Sequence, residues 1–134
     1  MRNLPIGIVA LVGLFLVGAV AGLLTCIALL FPGGTLDVIW RLNPQAHDVF
    51  LTIGPWAVGL MLVVGLACAF SAAGLLTRSV SGHRLAVAML AANLVGDTLN
   101  AFVRGDWWTL TGLPIGGALI AYLYRPQIRG LYTK

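Results

Sequence analysis

Residues 4–31 read LPIGIVALVGLFLVGAVAGLLTCIALLF, a run with no charged side chain and a single hydroxyl, that of Thr25. A helix crosses a hydrocarbon core in roughly 20 residues, and this run has about 28. It is too long for the apolar part of a secretory signal, although Arg2 and the small-x-small pattern Ala19-Val20-Ala21 imitate one. A first transmembrane helix is therefore expected over residues 4–31, with Pro5 at an early helical position and Pro32-Gly33-Gly34 as its end.

The rest of the chain has the same character. Of 134 residues, 60% are hydrophobic and 9% charged, and the mean hydropathy is +0.99. That leaves too little polar surface to face water on all sides. The expected fold class is all-α: a polytopic membrane protein, a four-transmembrane-helix bundle forming one domain over residues 1–134. The later helices are placed at about 44–77, 82–103 and 107–124. Gly54-Pro55 should kink the second near residue 55, because proline removes a backbone donor and crowds the preceding turn.

The long first connection carries TLDVIWRL, residues 35–42. Thr35 can cap a short helix there, Leu36, Ile39 and Trp40 share a face, and Asp37 and Arg41 stand at i, i+4. This describes an interfacial helix in the headgroup layer. Asn43-Pro44 then supplies a cap and a first-turn proline, Ser81 a cap for the third helix, and Asp106 one for the fourth. Pro114 and Gly116-Gly117 are the expected bend points of the last helix.

Basic residues set the orientation. With both termini cytoplasmic, Arg2, Arg78, Arg84, Arg125, Arg129 and Lys134 lie inside, against Arg41 and Arg104 outside. Trp40, Trp56, Trp107 and Trp108 then fall at the outer interface, and Tyr122, Tyr124 and Tyr132 at the inner one. The expected location is a bacterial-type inner or plasma membrane. A net charge of +4 is accounted for by cytoplasmic flanks and the lipid bilayer, so no nucleic-acid partner is inferred. The basic, aromatic tail QIRGLYTK should rest on anionic headgroups.

One segment breaks the apolar pattern. Residues 93–104 read NLVGDTLNAFVR, and Asn93, Asp97, Asn100 and Arg104 follow steps of four, three and four, which puts them on one helix face. A carboxylate facing lipid near the bilayer centre costs about 2.5–3.5 kcal/mol, so the stripe should turn inward. Arg104 leans back toward Asp97 because helical side chains point to the N-terminus, with Asn100 as a bridge. Thr25 and Thr111 lie at similar depth on neighbouring helices, with Thr109 and Thr52 nearer the outer surface. Two readings stand: interhelical glue that fixes the bundle, or a site that binds a polar headgroup or small solute or handles a proton.

No other chemistry is complete. No Ser, Cys or Lys stands within a turn of a His, Asp or Glu inside the bundle, so the chain is read as no enzyme, with no catalytic residue, metal site or identifiable cofactor. His47 alone is a weak candidate for ligating a pigment or haem, and His83 beside Arg84 reads as a headgroup contact. Cys26 and Cys68 read as packing residues at different depths, without a disulfide. Gly18 and Gly22 on one helix, and Gly65, Ala69 and Ala73 on another, form small-xxx-small strips for a membrane-protein partner or a second copy. The expected function is a non-catalytic accessory or interaction subunit, or a bundle binding lipid or a small ligand. The alternative is an oligomeric small-solute or proton-coupled transporter using Asp97.

Overall fold

The computed structural model describes residues 3–133, and the described residues contain helices and no strand. Arg2 and Lys134, both used in the count of bases, lie outside the described residues. Three helices are long and apolar enough to cross a membrane: α1 (Ile6–Leu30), α4 (Trp56–Leu76) and α5 (Val80–Arg104). A shorter apolar helical stretch, Trp107–Leu123, follows them. Large apolar side chains are exposed on these helices, among them Val17 on α1, Val63 and Phe70 on α4, and Val103 on α5. Water penalises such a surface and lipid does not. The chain divides into two compact units, Met1–Ala69 and Phe70–Lys134, with the boundary inside α4.

In the first unit α1 begins after Pro5, whose carbonyl accepts from the amides of Ile8 and Val9. The next segment is a 3-10 turn, Thr35–Asp37, running into α2 (Val38–Leu42). Thr35 caps nothing here. The Asp37 carboxylate reaches back and accepts from Gly33 N at 2.8 Å, which ties down the turn after α1 in place of a bond to Arg41. Asn43 caps α3 (Pro44–Ile53) as its sequence suggests, accepting from Ala46 N at 3.1 Å. Trp40 folds onto this helix, stacked on His47 with ring centroids 4.5 Å apart and edge-on to Phe50. The kink expected near residue 55 is a full break: Gly54 adopts φ 73, ψ −143, a conformation open to glycine, and Pro55 prevents α3 from continuing into α4.

Gly18 and Gly22 of α1 lie close against α4 within this unit, Gly22 on Gly65. A Cβ on Gly22 would stand 3.0 Å from the Cα of Gly65, and one on Gly18 would stand 3.2 Å from the Cys68 sulfur. Cys26 donates weakly to the Val58 carbonyl at 3.7 Å, and both cysteines are free and buried. Since lipid tails are as apolar as the side chains, close contact of this kind is what holds two membrane helices together.

In the second unit α4 ends in a Schellman turn. Thr77 N bonds to the Ala73 carbonyl and Ser79 N reaches the Gly74 carbonyl at 2.8 Å, with Arg78 in the left-handed position that glycine usually fills (φ 57). Ser79, not Ser81, then caps α5, its Oγ accepting from Gly82 N. The reason lies in the hairpin itself: Gly74 and Gly82 are both buried and pack backbone on backbone, so the turn must close early. At the far end Gly105 (φ 68) closes α5 in the left-handed conformation. Asp106 makes no side-chain cap; a 3-10 turn, Trp107–Thr111, leads into α6 (Gly112–Leu123), which passes through Pro114 and the Gly116-Gly117 pair as one α-helix. The tail forms α7 (Pro126–Arg129) and a last 3-10 turn, Gly130–Tyr132.

Candidate functional site

α5 carries the polar stripe. Asn93 and Arg104 are exposed on it, and Asp97 and Asn100 are half-buried. The structure does not assemble them into a ladder: among the described residues the side chains of Asn93, Asp97, Asn100 and Arg104 make no hydrogen bond or ion pair with one another or with any other group. The Asp97 carboxylate lies instead against α6, where a Cβ on Gly112 would stand 2.9 Å from Oδ2. Gly112 thus leaves the room that the carboxylate occupies.

The threonines near the stripe satisfy themselves locally. Thr109 donates its hydroxyl between the backbone carbonyls of Asp97 (3.1 Å) and Asp106 (2.8 Å), which pins the 3-10 turn onto α5 without engaging the carboxylate. Thr111 donates to the Trp108 carbonyl at 2.7 Å and Thr52 to that of Asp48 at 2.9 Å. Thr25 is half-buried on α1, in the first unit. What the stripe presents is therefore an acceptor at Asp97, two amides and a guanidinium, none of them committed among the described residues.

The opposite end of α5 holds a cluster that the sequence reading missed. His83 is 8% exposed, and its Nε2 lies 3.0 Å from the Leu123 carbonyl; a carbonyl only accepts, so Nε2 carries the proton. The ring stacks on Tyr132 with centroids 4.9 Å apart and meets Tyr124 edge-on at 6.4 Å. Tyr132 is buried and donates its hydroxyl to the Leu75 carbonyl at 3.1 Å. Burial pushes the Tyr132 phenol up from its ordinary value, with Arg78 working against the shift and Tyr122 adding to it. Through Tyr132 the tail is folded onto the ends of α4 and α5. The available signal was Ile128, Leu131 and Tyr132, apolar and aromatic residues in a tail of only eight.

Beside this cluster is a cavity of about 370 Å³. It is lined by Val80, His83, Arg84 and Val87 of α5 and by Arg129 and Tyr132 of the C-terminal segment. Among the described residues no three His, Cys, Asp or Glu side chains gather where a metal ion could be held. In the first unit the His47 ring is taken up by its stack on Trp40. The chain matches no known protein family, and neither a curated protein nor a solved structure is detectably similar to it.

Proposed function

We propose that this chain is a small, non-catalytic integral membrane protein, an accessory or interaction subunit whose polar stripe on α5 meets a helix of a membrane partner. In this reading α1, α4, α5 and the 107–123 stretch form a four-helix membrane bundle with both termini cytoplasmic, in a bacterial-type inner or plasma membrane. The α2–α3 segment lies at the outer interface. Support for the orientation comes from the six-to-two distribution of bases and from Trp56, Trp107 and Trp108, all strongly exposed.

The observation that carries the proposal is the uncommitted stripe. Asn93 to Arg104 is a rise of about 16 Å, longer than a small solute and well matched to a second helix laid alongside. Gly96 shares the face with Asn93 and Asn100, is exposed, and has open space where a side chain would stand. A smooth position flanked by amides suits close approach and interhelical hydrogen bonds. Gly18, Gly22 and Gly65, the other candidate surface, are engaged inside the first unit. The half-buried carboxylate without a partner favours, as second reading, an oligomer that passes a proton or small solute by Asp97.

A photo-crosslinking residue placed at Gly96 in intact membranes tests the proposal, with the exposed Val17 position as control. Expected is a polypeptide adduct from position 96 alone, lost in the Asp97→Leu background; an adduct of twice the chain mass identifies a second copy. Lipid adducts only, from both positions, would refute it.

A further inference from the structure

We propose that the cavity between the first turns of α5 and the C-terminal segment binds a phosphate-bearing anion, either the headgroup phosphate of an anionic phospholipid or a free phosphate. The site is distinct from the Asp97 stripe and stands or falls separately. Arg84 of α5 and Arg129 of α7 both line it, both exposed and both without a hydrogen bond or ion pair among the described residues. Guanidinium groups left free in this way are suited to phosphate, which they bind through paired, charge-assisted hydrogen bonds.

The acidic side chains of the second unit are Asp97 and Asp106; neither lines the cavity, and Asp97 stands about 20 Å along α5 from Arg84. The cavity also opens at the N-terminal end of α5, where the helix dipole adds positive potential. Part of its wall is held in place: His83 is bonded to Leu123 and stacked on Tyr132. A volume of about 370 Å³ is that of a small-ligand site. Val80 and Val87 make part of the lining apolar, which suits the glycerol and upper acyl carbons of a lipid whose phosphate lies between the arginines.

The full chain in a neutral detergent is offered phosphatidylglycerol or phosphatidylcholine and examined by native mass spectrometry, while binding of inorganic phosphate is followed in parallel by calorimetry. Expected is preferential retention of phosphatidylglycerol, or saturable phosphate binding, weakened about fivefold by Arg84→Gln and again by Arg129→Gln. The lipid arm alone identifies a headgroup site; the phosphate arm identifies a free anion; either supports the proposal. Arg125→Gln removes the same charge from the same end without touching the cavity. Equal retention of both lipids together with no phosphate binding overturns the proposal. So does a loss in Arg125→Gln as large as in Arg84→Gln. Both arginines in the cavity are exposed, so the variants should melt as wild type does, and a circular dichroism melt checks that.

Discussion

The two ends of α5 treat their polar groups in opposite ways. At the N-terminal end the imidazole of His83 bonds to Leu123, the phenol of Tyr132 bonds to Leu75, and the two rings stack on each other. Toward the C-terminal end, Asn93, Asp97, Asn100 and Arg104 find no partner at all among the described residues. A polar group taken from water stabilises a fold only when its bonds are remade. The first set therefore belongs to the architecture, while the second is left to whatever surrounds α5, which in the proposed reading is a membrane partner.

The contrast is sharpened most by breaking the closed end. Gly74 and Gly82 touch through their backbones, so Gly82→Val has no flexible neighbour to displace. We expect a loss of about 3 kcal/mol or more, read as a collapse of the thermal melt in detergent. His83→Ala removes a hydrogen bond and an aromatic stack, together about 2 kcal/mol. Trypsin should then cut after Arg129 well before the rest of the chain is attacked, Pro126 protecting the bond after Arg125.

Tyr132→Phe removes one hydrogen bond, about 1 kcal/mol. It also tests a pH dependence. Because the folded state raises the phenol above its unfolded value of 10.0, tail docking should be at full strength below that pH and weaken as pH rises through the folded value. The Phe variant should lack this alkaline step, and the mobility of a spin label attached at Thr133, measured against pH, would reveal it. An alkaline step that persists in the variant would mean that another group controls the tail.

Much of this was legible in the residues and some was not. Helix existence followed from apolar runs longer than a bilayer needs, and Asn43, Gly105 and the Pro32-Gly33-Gly34 stop acted through local backbone chemistry that does not depend on the fold. The cap at Ser79 was missed because it depends on Gly74 meeting Gly82, a tertiary contact that no window of sequence contains. Gly54 was read with Pro55 as a kink; its positive φ makes a break, and a glycine's φ cannot be told from composition. Helical spacing found the stripe of α5, but spacing fixes only which residues share a face. It says nothing of whether that face is closed, and the same limit hid the tail's return to His83.

The central claim is that Asp97 serves no bond within the protein, and the melting temperature of purified Asp97→Asn tests it most directly. With the carboxylate unpartnered, removing its charge takes away a cost and no contact, so the variant should melt at or above the wild-type temperature. A melting temperature lowered as much as in Tyr132→Phe would show that Asp97 is part of the bundle's own polar packing, and the account would be wrong.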